Sequence, residues 1–224
     1  MSIVPAITAP DFQGLGKVVP RLLAAPGTTL ELLVLAADGG QCAGVDLESG
    51  ALVRAWSAAP SPVPLQAYDV VTVTLAADID AVPDPSEPEA LVCEGPPEPV
   101  GRITGRRAER LLRPLIHPSG HPLLGLHAPA VPFWERRADH PSIALVAPEG
   151  AIQLRRDGGY LACRFPWQGT LRELACLDRR IAASMDRAGQ SRRLATKGDR
   201  LVIALTPPID GHCHKVVEAV LPRP

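Results

Sequence analysis

The sequence predicts a mainly β protein made of two small barrels in tandem, and three observations predict it. Proline occupies 25 of 224 positions, about twice its ordinary share of roughly 5%. Proline is excluded from helix interiors and central strands, so short strands joined by Pro-bearing loops suit this chain better than a helical bundle. Apolar and β-branched residues come in short runs closed by Gly-containing turns, the pattern of strands. The order of segments in 28–98 also returns in 142–224, across an unlike connection at 99–141.

In the first unit, LELLVLAADGGQCAGVDLESGALVRAW (30–56) reads as three strands, with turns at Asp38-Gly39-Gly40 and around Glu48-Ser49-Gly50. A Pro-bearing loop leads to DVVTVTL (69–75), whose β-branched residues make it the clearest strand. ALVC (90–93) is the fifth. In the connection, GRITGRRAERLLRPLI predicts a short helix capped by Thr104, with Leu111, Leu112 and Leu115 behind it and Pro114 limiting it. Arg106, Arg107, Arg110 and Arg113 read as its solvated face. HPSGHPLLGLHAPAVPFW then reads as an irregular Pro-rich segment, anchored onto a barrel by Trp134 with Glu135, Arg136 and Arg137.

The second unit opens with SIALVAP (142–148) as a strand. AIQLRRDGGYLACRF (151–165) is a hairpin turning at Asp157-Gly158-Gly159. Leu171, Leu174, Leu177, Ile181 and Met185 recur at helical spacing, which predicts an inserted helix over 170–188 capped by Thr170. DRLVIAL (199–205) and HKVVEAVL (214–221) are the closing strands. The two units align weakly in residues. GVDLESGALVRAW resembles AIQLRRDGGYLACRF, PEALV resembles VVEAVL, and DVVTVTLAADID matches DRLVIALTPPID at Asp69/Asp199, Leu75/Leu205, Ile79/Ile209 and Asp80/Asp210. Strand, strand, strand, helix, strand, strand is the order of an OB-fold, a five-stranded Greek-key barrel that often binds oligonucleotides. The first unit reads as the same barrel with a loop in place of the helix.

The formal net charge of −1 hides a sorting of charge along the chain. Residues 1–98 carry three basic and thirteen acidic side chains, a net of −10, and the remainder carries twenty basic and eleven acidic, a net of +9. That asymmetry points to a polyanionic partner for the second unit or to the two units facing each other. No apolar run reaches the ~18–20 residues of a membrane span, and MSIVPAITAPDFQGLGK lacks a secretory leader's pattern. Cys42, Cys93, Cys163, Cys176 and Cys213 are odd in number, without a C-x-x-C pair. Reduced thiols in a cytoplasmic protein are expected.

Most of the chain resembles a bacterial family of dual OB domain-containing proteins. The likeness lies in GGQCAGVDLESGALVRAWS (39–57), where the family has Gly-Gly-x-Cys-x-Ala-Gly, a Thr/Ser-Gly turn and a Trp-x-Arg-Pro strand. It continues in PDPSEPEALV with PVGRITGRRAERLL, and in the ending LVIALTPPIDGHCHKVVEAVL. Leu52, Ala55, Ala90 and His214 depart from the family's Trp, Pro, Asn and Tyr, which puts any ligand contact at those places in question. The resemblance implies a nucleic-acid or nucleotide recognition module, suspected of serving in bacterial defence.

The chemistry read from the residues is sparse. His212-Cys213-His214 is the best metal-like cluster. In an extended segment the two histidines share one face and Cys213 the other, so a zinc site would borrow from His117, His121 or His140. No metal and no cofactor are expected. A G-x-S-x-G elbow is absent, Gly14-Leu15-Gly16-Lys17 is too short for a phosphate loop, and no enzymatic activity is expected. Asp78, Asp80, Asp84, Glu87 and Glu89 read as a solvated acidic loop. The candidate nucleic-acid face is on the second barrel: Arg155 and Arg156 at the end of one strand, Tyr160 and Arg164 on the exposed side of the next, and Lys215 as a phosphate contact. Arg54, His214 and Trp167 are secondary candidates. The expected function is non-enzymatic binding of single-stranded nucleic acid or a nucleotide, without a membrane role. The alternative is a protein-interaction module that uses the acidic first barrel.

Overall fold

Runs of buried residues along the strands build two sheets that share a core. The computed structural model describes residues 24–77, 87–136, 140–157, 159–195 and 198–224. Among these the chain is mainly β, as the composition predicts. The first sheet holds β1 (Thr29–Asp38), β2 (Gln41–Asp46), β3 (Leu52–Ser57), β4 (Asp69–Thr74), β5 (Ala90–Cys93) and β6 (Glu98–Arg102). Its order is β5-β3-β2-β1-β4-β6. The β3–β5 pair is parallel and the others are antiparallel. The path ends at β5 and β6, which do not pair, and the chain just after β4 meets the end of β5 at one bridge, Leu75 with Cys93. The sheet is therefore not a closed barrel, contrary to expectation.

The chain then forms α1 (Gly105–Leu112) and, after two short 3-10 turns, β7 (Ala130–Pro132). Thr104 holds the N-cap position with extended backbone, but its side chain makes no capping hydrogen bond. The second sheet comprises β8 (Ile143–Val146), β9 (Gln153–Asp157), β10 (Tyr160–Trp167), β11 (Thr170–Cys176), β12 (Arg192–Leu194), β13 (Arg200–Leu205) and β14 (His212–Leu221), with α2 (Arg179–Arg187) between β11 and β12. Its order is β12-β9-β10-β11-β14-β13-β8, with β7 pairing to β14, and β11–β14 is its parallel contact. This sheet is also open.

The helix expected over 170–188 is half strand. Gln168 and Gly169 both take positive φ, 54° and 67°, the geometry of a two-residue I′ hairpin turn. Trp167 accordingly pairs with Thr170, and 170–176 runs back along β10. The helix begins only after Asp178, whose carboxylate accepts from the backbone N–H groups of Arg180 and Ile181 at 3.1 and 3.2 Å, a proper N-cap. Leu171 and Leu177, read as core positions of one long helix, are exposed, whereas Met185 is buried. β6 and β12 were not anticipated. Both are edge strands, and β6 carries Pro99, which an edge tolerates. The residues Asp78, Ile79, Asp80 and Asp84, Gly14-Leu15-Gly16-Lys17 and Arg137 lie outside those described.

The core has three layers. One face of the first sheet buries Leu32, Val34, Val53 and Val71 together. The far face of the second sheet, closed by Met185 of α2, buries Leu154, Phe165, Trp167, Ile203 and Val217. Between them lies a layer drawn from both units: Leu33, Leu35 and Val45 of the first sheet, Ala108 and Leu112 of α1, and Leu145, Val202 and Leu221 of the second. Alternation along β1 and β8 sends neighbouring residues to different layers, so these strands are apolar on both faces. Complete burial of each such side chain is worth ~1.5–3 kcal/mol. Among the described residues no helix is long and apolar enough to cross a membrane.

Candidate nucleic-acid interface

Strand register sorts the predicted residues onto two faces. Arg192 of β12 lies opposite Arg155 of β9, which lies opposite Ala162 of β10, itself opposite Ala175 of β11. Directly paired residues share a face, as do residues two apart along a strand. Arg192, Arg155, Tyr160 and Arg164 therefore stand on one side of the sheet, with Glu173 and Leu171 beside them. Leu161, Cys163 and Phe165 face the core, as the alternation predicts. Tyr160 is 50% exposed and Arg192 is exposed. Arg164 and Glu173 are cross-strand partners, and their side chains form an ion pair at 2.8 Å.

The other candidates do not join this face. Arg156 points to the opposite side of β9, where Nη2 donates to both oxygens of Asp186 at 2.6 Å and ties the strand to α2. Trp167, expected just beyond the strand, is its last residue and is 1% exposed, stacked on His117 at 6.0 Å. It is a core residue and offers no surface for a base. Lys215, expected to contact a phosphate, is buried, and its Nζ donates to the carbonyl of Leu126. Burial, aided by the nearby Arg172, pulls its pKa down to about 8. Arg54 is buried on the first sheet, 3.4 Å from Glu87 and over the ring of Trp56 at 5.6 Å. His214 is exposed at the start of β14, beside buried Cys213.

Three polar contacts join acidic residues of the first unit to the rest of the chain, through other residues than those proposed for binding. Arg179 of α2 meets Asp38 of β1 at 3.1 Å, Arg136 lies 3.9 Å from Glu87, and Ser142 donates through its backbone N–H and hydroxyl to Glu89 at 3.0 and 2.6 Å. Glu87 and Glu89, read as part of a solvated loop, are thus structural. Among the described residues no group of three or more His, Cys, Asp or Glu is placed to hold a metal ion. His117 instead bonds through Nε2 to the carbonyl of Pro122 at 3.0 Å, and burial lowers its pKa. All five cysteines are buried and free. Burial pushes the Cys42 and Cys176 thiols up to about 12 and Cys93 to about 11, and raises Cys163 further, which makes them poor nucleophiles.

Arg192 was missed because SRRL carries no strand signal; only its pairing to β9 places it beside Arg155. No protein-family model, curated protein or solved structure matches the chain.

Proposed function

We propose that the chain is a non-enzymatic recognition module that binds single-stranded nucleic acid on the outward face of β9, β10 and β12. The observation that carries the reading is the register that aligns Arg192 with Arg155 and sets both on the side of the sheet that bears Tyr160 and Arg164. Guanidinium groups spaced along a sheet face follow a phosphate backbone, and an exposed tyrosine gives a base a stacking surface. The OB-like reading of both units belongs to the same proposal. In each, the last strand of the meander runs parallel to the final strand, β3 beside β5 and β11 beside β14. That crossing at matched places supports it. By the same match β9 and β10 are the first two strands of the second meander, so the arginine face includes one of the two strands, β10, that OB-folds use for binding.

Fluorescence anisotropy with labelled single strands of DNA and RNA and with a duplex tests the proposal. Single strands should be retained, with affinity falling steeply from roughly 50 to 200 mM salt. Arg155→Ala and Arg192→Ala should each flatten the salt slope by about 1, and Tyr160→Ala should cost ~1–3 kcal/mol. Absence of retention for every single strand at low salt rejects the reading.

A further inference from the structure

A second place in the molecule is built for a small ligand. A cleft of about 230 Å³ opens between the two sheets, where the ends of β1–β3 meet the start of α2 and strands β13 and β14. Arg54 and Gln41 reach it from the first sheet, Glu218 and Thr206 from the second, and Arg179 and Arg180 from α2. Depth separates these groups. The Arg54 side chain is 7% exposed, while those of Arg180 and Arg179 are 41% and 82% exposed and stand at the mouth.

Two buried polar atoms in this cleft are unsatisfied. Nη1 of Arg54 lies 3.4 Å from Glu87 but makes no hydrogen bond, and Oε2 of Glu218 makes none either. Buried polar groups without partners are rare and call for a reason. The repeat sharpens the anomaly. Glu89 occupies the position in PEALV that Glu218 occupies in VVEAVL, and its Oε2 accepts twice from Ser142. In Glu218 one oxygen, Oε2, has no such donor.

The geometry points to a nucleoside monophosphate as the ligand of this cleft, its base edge on Arg54 and Glu218 and its phosphate toward Arg180 at the mouth. A base edge sets a hydrogen-bond acceptor beside an N–H donor, which is what an open guanidinium nitrogen and an open carboxyl oxygen require. Burial, opposed by the charge of Arg54, raises the Glu218 carboxyl above its ordinary range. At the mouth Arg179 and Arg180 already pair with Asp38 and Asp178 at 3.1 and 3.4 Å, so a phosphate there competes with those carboxylates for them. The site is independent of the arginine face on the second sheet.

Isothermal titration of the intact chain with the four ribonucleoside monophosphates, their nucleosides and inorganic phosphate tests this. At least one monophosphate should bind, its nucleoside about tenfold weaker, and phosphate alone not measurably. Glu218→Leu should weaken that monophosphate about a hundredfold, with a melting temperature no lower than that of the wild type. Arg180→Ala, a substitution at a half-exposed position, should weaken the monophosphate about tenfold and leave the nucleoside unchanged. Binding by no monophosphate overturns the inference, as does inorganic phosphate binding as well as the best nucleotide, or affinity that both variants leave intact. Oligonucleotide retention by Glu218→Leu should match the wild type, so this cleft and the sheet face stand or fall separately.

Discussion

Two strand arginines, one on each sheet, have opposite fates. Arg54 stands in GALVRAW on β3 and Arg164 in YLACRF on β10. The β3 arginine faces a parallel strand, aligned with Ala90 of β5, and is closed over by Glu87, by Arg136 of the connection and by the second unit. Arg164 faces the hairpin strand β11 and pairs with Glu173, both side chains more than a third exposed. The same residue type is thus interior scaffold in one sheet and surface chemistry in the other. What differs is the neighbouring element: Arg164 lies beside a hairpin partner on an open sheet face, whereas the cleft against the second unit covers Arg54.

The largest test of that contrast is Arg54→Ala. Breaking a buried ion pair leaves an uncompensated charge and costs ~3–5 kcal/mol. Arg136, 3.9 Å from Glu87, still offers partial compensation, which sets the expectation near ~3 kcal/mol by urea unfolding. A loss below ~1 kcal/mol would mean that Arg54 behaves as a surface residue, and the contrast would fail.

Lys215 sharpens the comparison from another side, as a buried cation held by a carbonyl and not by a carboxylate. Its pKa in the folded chain, about 8, lies below the 10.5 of the free group. Between those values the unfolded chain binds more protons than the folded one, so stability rises with pH. Below about pH 8 the buried charge costs up to ~3 kcal/mol, and the cost is relieved as pH climbs toward 10.5. Urea midpoints at pH 7.5 and 10 should show this rise in the wild type against Lys215→Met. Equal pH dependence in the two proteins would mean that the ammonium is solvated.

These residues also mark how far the sequence alone could go. DVVTVTL announces β4 because β-branched alternation is a local property. Leu171, Leu174 and Leu177 mislead for the same reason: their spacing suits a helix, and only the positive φ of Gln168 and Gly169 turns the chain back as a strand. Asp178 is 4% exposed and caps α2 while accepting from the N–H of Val220 across the sheet at 3.1 Å, a partnership 42 residues away that no local pattern contains. The candidate face was legible in Arg155, Tyr160 and Arg164, since alternation within one hairpin predicts a shared side. It was not legible in Arg192, which arrives through strand pairing, nor in the burial of Lys215 and Trp167, which depends on the connection lying over them.

The smallest expected effect completes the contrast. Arg164→Ala removes an ion pair at the surface, where such pairs are worth ~0–1 kcal/mol because water and salt screen both charges. Its urea midpoint should stay within ~0.5 kcal/mol of the wild type, several-fold less than for Arg54→Ala. The pair still holds the guanidinium on the sheet face, and a phosphate competes with Glu173 for it. Glu173→Gln should therefore strengthen single-strand binding while Arg164→Ala weakens it, each by a few-fold and each most clearly at low salt. If both substitutions leave anisotropy titrations unchanged, Arg164 is a strut between β10 and β11, and the functional half of the contrast reduces to Arg155, Arg192 and Tyr160.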